Sequence, residues 1–285
     1  MKFRIKRKYI PVLLILPLVA YLVGISFYPA LSAVFQSFHS PSTGQLTLSN
    51  FTDLSHYGIV SAILNTFILT AGALTIEFTF GFIIATLLTK ALKGKAVFST
   101  IYILPFGIAT VVSAYTFSLI FPSVGGYANS FLALFGIHAI NWYANTYMTL
   151  FTTMLADSWK TTPIVALILF AGMSQIPPEL YNAAAVDGAG PIRRFFSITL
   201  PNIADFVTIA LIVRGIAEFN IFALPLILFG YNPPLLTTIT YEFYSTTSTL
   251  YYSLSSATIL FAFVLGFALI VVFRKKLMGV YEVAD

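Results

Sequence analysis

Residues 177–201 read PPELYNAAAVDGAGPIRRFFSITLP, a polar island between two long apolar runs. Pro177 and Pro178 suit the first turn of a helix, where a missing N–H costs nothing. Glu179 then sets a carboxylate near the helix N-terminus, where the macrodipole favours it. Leu180 through Val186 is helix-forming sequence with an Ala-rich face, and Asp187-Gly188 is a turn signal. Pro191 through Thr199 forms a second short helix with Phe195, Phe196 and Ile198 as apolar contacts. The expectation is helix, tight turn, helix. Small side chains at Ala183, Ala184 and Ala185 let another protein approach closely. The competing reading is an amphipathic loop lying in lipid headgroups, but the first helix lacks the Lys/Arg-rich face of such a helix.

The surrounding chain is 285 residues, 58% hydrophobic and 9% charged, with a mean hydropathy of +0.90. A soluble domain carries about 25% charged residues. The apolar runs are continuous and of membrane-crossing length, unlike the short alternating segments of a β-barrel. The fold class is therefore all-α, a polytopic membrane protein with one transmembrane domain over residues 1–285. Six transmembrane helices are expected at Tyr9–Phe35, Ile59–Thr89, Ala96–Phe121, Tyr147–Gly172, Ile203–Phe229 and Leu250–Phe273. Cys is absent, so disulfide and thiol chemistry are excluded.

Thirteen of the fifteen Lys and Arg residues fall on one side of these spans. They are Lys2, Arg4, Lys6, Arg7, Lys8, Lys90, Lys93, Lys95, Arg193, Arg194, Arg274, Lys275 and Lys276. Segments 36–58, 122–146 and 230–249 hold none. By the positive-inside rule both termini are cytoplasmic, and so is segment 173–202. The net charge of +5 thus belongs to topology rather than to nucleic-acid binding. The basic N-terminus is not a cleaved signal peptide on this reading, because its apolar stretch exceeds an h-region and holds Pro11 and Pro17. Asn50-Phe51-Thr52 is a glycosylation-acceptor triplet on the outer side. His39, His56 and His138 are too scattered for a metal site.

The run Ala183-Ala184-Ala185-Val186-Asp187-Gly188-Ala189, followed by Phe196, Ile198, Leu200 and Pro201, resembles the signature loop of importer-type ABC permeases. The carbohydrate branch is the nearest likeness. Asn65-Thr66, Leu104-Pro105, Gly126-Tyr127-Ala128-Asn129, Asn141-Trp142 and Trp159 with Thr162-Pro163 resemble further family motifs, so the likeness covers nearly the whole chain. It is similar to the minimal six-span form without an extra outer domain. The tail after Phe273 lacks the Gly-rich ending of the smaller partner subunit.

The resemblance implies a coupling helix between spans four and five, with Glu179, Asn182, Ala183, Ala184, Asp187, Gly188 and Ala189 contacting an ATPase subunit. It implies a second permease subunit as heterodimer partner, two cytoplasmic ATPase subunits, an extracytoplasmic solute-binding protein and a carbohydrate substrate in the plasma membrane. One departure stands out. The family motif begins with a Glu that meets an Arg of the ATPase, and here that position is Asn182. A charge-assisted bond is about twice as strong as a neutral one. Glu179, one turn earlier, is the candidate substitute.

Ionisable groups also sit inside the spans. Glu77 lies mid-way along the second, Asp157 and Lys160 on the fourth, Arg214 and Glu218 on the fifth. Each costs about 2.5–3.5 kcal/mol at a helix centre, so such groups pair or face a cavity. The spacings allow Asp157–Lys160 and Arg214–Glu218 pairs. Asp157, Trp159, Lys160, Arg214, Glu218 and Asn220 are the candidate solute pathway, with helix packing as the alternative role. Glu77 has no partner on its own helix; Lys160 and Arg214 are its candidates. In the fifth span Pro225 is expected to kink the helix.

No Gly-x-x-x-x-Gly-Lys-Ser/Thr loop is present, so no cofactor is expected on this chain and ATP must be bound by partner subunits. No hydrolase motif appears, so an enzyme is not expected. The leading expectation is the membrane subunit of an ATP-driven sugar importer. The alternative is an ion-coupled secondary transporter using Glu77, Asp157 and Glu218.

Overall fold

The computed structural model describes residues 10–90, 94–245 and 250–277, the side chains of 10–12, 95–96 and 274–277 excepted. The basic residues at 2–8, Lys93 and the side chains of Lys95 and 274–276 lie outside this description. The described residues are helical with no strand; one isolated bridge joins His39 and Leu46. We number the helices used below as follows: α1 Leu13–Ser37, α2 Ile59–Thr89, α3 Lys95–Ile103, α4 Thr110–Ile120, α5 Tyr127–Ala133, α6 Thr146–Met173 and α7 Pro178–Val186. Next come α8 Pro191–Asn202, α9 Ala204–Phe219, α10 Ala223–Phe229, α11 Leu236–Ser245 and α12 Leu250–Leu277.

Four helices are long and apolar enough to cross a membrane, and six spans result if the bent pairs α3–α4 and α8–α9 count as one each. The third expected span is not a straight helix. It turns by 96° between Val97–Gly107 and Thr110–Ile120. Leu104–Gly107 is a 3-10 turn and Ile108 is extended. Pro105 removes a donor there, which favours a break. The fifth expected span is also broken, at 220–222. Pro225 does not kink a running helix; it sits in the first turn of α10, where its missing N–H is harmless. Two π turns, Leu22–Phe27 and Phe195–Thr199, lie just ahead of Pro29 and Pro201. A widened turn relieves the clash of a proline ring with the preceding carbonyl.

By chain contacts the residues group into two units, Met1–Ile59 with Thr240–Ile259, and Val60–Ile239 with Leu260–Asp285. In the first, Asn50 is 3% exposed, and its Nδ2 donates to the Ser37 and His39 carbonyls, both at 2.9 Å. The glycosylation reading of this triplet is therefore replaced by a structural one, since the acceptor nitrogen is buried and occupied. In the same unit Tyr57 packs on Phe243 and Tyr252 at 5.6 and 5.2 Å between centroids.

The second unit is layered along α2, α6 and α9. Leu69, Ala73, Leu150 and Met154 belong to one apolar cluster, with Phe117 and Phe121 of the third span. Ala85, Val165, Leu169, Ile203 and Val207 form the other. Along α2 and α6 the polar residues described below fall between the two clusters. α2 and α6 approach closely because Gly72 and Gly81 lack side chains. A Cβ at Gly81 would meet Val165 Cγ1 at 2.8 Å and one at Gly72 would meet Met154. Small residues at such crossings let membrane helices pack without a hydrophobic driving force.

Candidate functional site

α7 has the local features its sequence demands. Pro177 precedes it, Pro178 and Glu179 fill its first turn, and Asp187 caps it. Beyond it Gly188 takes φ +73°, a left-handed conformation that glycine adopts at little cost. The Ala189 N–H donates to the Ala184 carbonyl at 2.9 Å and the Gly188 N–H to the Ala185 carbonyl at 3.2 Å. That pair of bonds is the Schellman cap, which satisfies otherwise orphaned carbonyls. Tyr181 and Ala184 turn inward, and Tyr181 Oη lies 2.9 Å from Thr199 Oγ1. Glu179, Asn182, Ala183, Val186, Asp187 and Gly188 are exposed, Val186 by 89%. Ala189 is buried, and its carbonyl accepts from Arg194 Nε at 2.6 Å. Among the candidate residues it therefore holds the turn rather than offering a surface.

In the membrane-spanning part, three helices converge on one guanidinium. Arg214 on α9 donates from Nε to Glu77 Oε2 at 2.9 Å and from Nη2 to Glu77 Oε1 at 2.8 Å. The same Nη2 reaches Asp157 Oδ2 at 3.1 Å and pairs with Glu218 Oε1. Glu77, Glu218, Asp157 and Arg214 are 0, 1, 6 and 8% exposed. Thr161, one turn beyond Asp157, lies 2.7 Å from Glu77 Oε1 and 3.1 Å from Asp157 Oδ2. Its single proton serves one acceptor at a time. With every group ionised the cluster carries a formal charge of −2, one guanidinium against three carboxylates. Glu218 Oε2 has no hydrogen-bond partner among the described residues. Such an excess in apolar surroundings is relieved by protons or counter-charge.

The candidate pathway residues thus separate into two groups. Asp157, Arg214 and Glu218 come together, with the expected Arg214–Glu218 pair formed. The Asp157–Lys160 pair does not form: Asp157 turns to Arg214, and Lys160 lies 5.9 Å from the Phe106 ring centroid. Trp159 is 45% exposed and packs edge-on against Phe117 at 5.4 Å. Asn220 is exposed at the end of α9, its amide donating to the Ile216 carbonyl at 2.7 Å. Glu77 and Thr161 were not in the candidate set. Thr161 carried a signal, a hydroxyl four residues after Asp157 on the same face; Glu77, outside the pathway set, pairs with Arg214, one of the two partners expected for it.

A cavity among the described residues lies apart from the charge cluster. It is about 440 Å³, lies on the other face of α6, and is lined by Trp159, Ser158, Thr162, Pro163, Tyr102 and Pro105 among others. Pro163 has no N–H for the Trp159 carbonyl, so that acceptor lacks its intrahelical donor.

The remaining motifs are structural ties. Asn65 Nδ2 donates to the Pro234 carbonyl at 3.0 Å, and Thr66 Oγ1 accepts from the Leu236 N–H at 2.9 Å. Asn129 Oδ1 accepts from Ile140 N–H at 3.0 Å and Trp142 Nε1 at 3.1 Å. Burial pushes the half-buried Tyr143 phenol beside Trp142 above its usual pKa.

These features define a polytopic helical membrane protein with an exposed helical segment between its fourth and fifth apolar regions. The family model for the inner membrane component of binding-protein-dependent transport systems matches residues 77–278, and the chain belongs to this family. It is 33% identical over 207 residues to the trehalose/maltose transport system permease protein MalF of Thermococcus litoralis, covering 71% of this chain and 69% of that one. Against the trehalose transport system permease protein SugA of Mycobacterium tuberculosis it is 29% identical, covering 77% and 72%. A bacterial alginate ABC transporter, solved in complex with an alginate pentasaccharide-bound periplasmic protein, superposes with a TM-score of 0.79. That match covers 97% of each chain at 19% identity.

Proposed function

We propose that this chain is a membrane-spanning subunit of an ATP-driven importer for a sugar or oligosaccharide. The substrate class rests on the relatives, whose names specify trehalose, maltose and arabinooligosaccharides. Residues 1–285 act as one permease domain in the plasma membrane, with both termini and segment 173–202 cytoplasmic. A second permease subunit completes the passage, two ATPase subunits bind ATP, and an extracytoplasmic binding protein delivers solute. The family does transport rather than catalysis on substrate.

The observation that carries this reading is the exposed face of α7. Glu179, Asn182, Ala183 and Val186 form a helical surface with small side chains at its centre, held in place by Tyr181 and the capped turn. It meets nothing within the described chain, so it is available as the surface through which ATPase closure enters. Asn182 docks by shape and neutral hydrogen bonds, since it cannot form the salt bridge of a Glu.

The pathway is assigned to the exposed group. Trp159 offers an aromatic face to sugar C–H groups in this cavity; Lys160 and Asn220, outside its lining, add polar contacts along the pathway. Asp157, Arg214 and Glu218, with Glu77, contribute from behind by holding α2, α6 and α9 in one arrangement. Alternating access then requires these helices to move together.

A cysteine at Asn182 tests the coupling assignment. In the assembled transporter it should cross-link to an ATPase subunit and resist membrane-impermeant reagents added outside. Labelling from outside, with no cross-link, would overturn both the docking role and the orientation.

A further inference from the structure

A second cavity, about 430 Å³, opens where α2 ends beside the coupling segment. Its polar wall includes Thr89, Lys90, Tyr181, Arg194 and Thr199; Met173 and Phe195 give it an apolar side, and no acidic residue lines it. Arg194 is preset. Its Nε is held by the Ala189 carbonyl at 2.6 Å, and its Nη groups have no partner among the described residues. Neither Lys90 nor Arg194 forms an ion pair with a described residue, unlike Arg214. Tyr181 Oη and Thr199 Oγ1 are 2.9 Å apart, so one hydroxyl uses the other as acceptor and the second proton remains to be donated.

Two unpaired cations and a spare hydroxyl proton complement an anion with several oxygens. A guanidinium takes two phosphate oxygens side by side, and an ammonium adds a point charge. The apolar side calls for a ligand with a non-polar body. Basic pockets between helices at the cytoplasmic boundary of a membrane suit anionic lipid headgroups. We propose that this cavity binds the phosphate headgroup of an anionic phospholipid from the cytoplasmic leaflet. Because Arg194 also holds the Ala189 carbonyl, the bound phosphate is tied through one side chain to the turn that follows α7. Occupancy therefore stiffens the coupling segment.

The choice of leaflet rests on the orientation proposed above, but binding itself does not. A negative binding result therefore condemns the pocket and leaves the orientation standing. The test uses the complete transporter in phosphatidylcholine nanodiscs, titrated with fluorescent phosphatidylglycerol. One basic contact near the membrane surface corresponds to about a fivefold change in affinity. Lys90→Gln should weaken binding by about that factor with unchanged thermal unfolding. Arg194→Gln should do the same, and Arg194→Lys should recover part of the loss. A fluorescent phosphatidylcholine probe should bind all variants alike. Wild-type affinity of Lys90→Gln for phosphatidylglycerol overturns the proposal. So does inorganic phosphate that binds in detergent as tightly as the lipid and with the same dependence on Lys90, which makes the site one for a soluble anion.

Discussion

Arg214 and Glu77 form a two-bond pair across 137 positions of sequence, Nε to Oε2 at 2.9 Å and Nη2 to Oε1 at 2.8 Å. The pair ties α9 to α2, and the contact of the same Nη2 with Asp157 brings in α6. A single side chain therefore sets the arrangement of three membrane-spanning helices. Its loss and the loss of one carboxylate should have very different effects.

Arg214→Met leaves three buried carboxylates with no cation. Breaking a buried ion pair by removing one partner costs about 3–5 kcal/mol, so this variant should assemble poorly and unfold at lower temperature. Glu218→Gln removes one negative charge from a cluster that has an excess and keeps a group able to hydrogen-bond. It should change stability by less than about 1 kcal/mol. Thermal unfolding of the purified complex compares the two, and equal losses would show that charge balance does not govern the cluster.

Thr161→Val keeps shape and removes the hydroxyl between Glu77 and Asp157. Leaving buried acceptors short of a donor costs about 1–3 kcal/mol. Combined with Glu77→Gln, the loss should be less than additive, because both variants act on the same bonds. Strict additivity in a double-mutant cycle would mean that Thr161 and Glu77 are not coupled.

Trp159→Ala, on the exposed face of α6, should lower solute uptake at least about tenfold, equivalent to about 1.4 kcal/mol, while assembly is unchanged. Lys160→Met should reduce uptake less, since its ammonium lies over a ring rather than in an ion pair. Normal uptake by Trp159→Ala removes the pathway from this cavity.

Gly188→Ala puts a Cβ on a left-handed residue, at a cost of about 1–2 kcal/mol. The turn after α7 should loosen, and ATP hydrolysis should respond less to solute although the ATPase still binds. Asn182→Glu should tighten that binding, if a charged partner faces it; unchanged assembly and coupling would show that the charge is dispensable here.

The helix and turn within residues 177–201 were legible in the sequence because their determinants are local. Pro177, Pro178, Glu179 and Gly188 each act within one turn, and the observed helix ends where they place it. The Arg214–Glu218 pair was legible for the same reason. Asp157–Lys160 had equally good spacing and does not form. Lys160 lies about 60° to one side of Asp157 around the helix while Thr161 lies about 40° to the other. α2 and α9 pack on the Thr161 side, which tertiary structure alone decides. Glu77 has no partner within its own helix; Lys160 and Arg214 were its two candidates, and only the packing of α2 against α9 selects Arg214. The breaks at 104–109 and 220–222 were hidden by continuous hydrophobicity, although Pro105 and Pro225 marked their positions.

Uptake of labelled sugar into proteoliposomes holding the full complex, with its binding protein added, tests the central claim most directly. Uptake should require ATP on the ATPase side, persist when an ionophore collapses ion gradients, and fall when Ala183→Trp blocks the face of α7. Uptake that survives ATP depletion but stops with the ionophore would contradict the account and favour ion-coupled transport through the buried carboxylates.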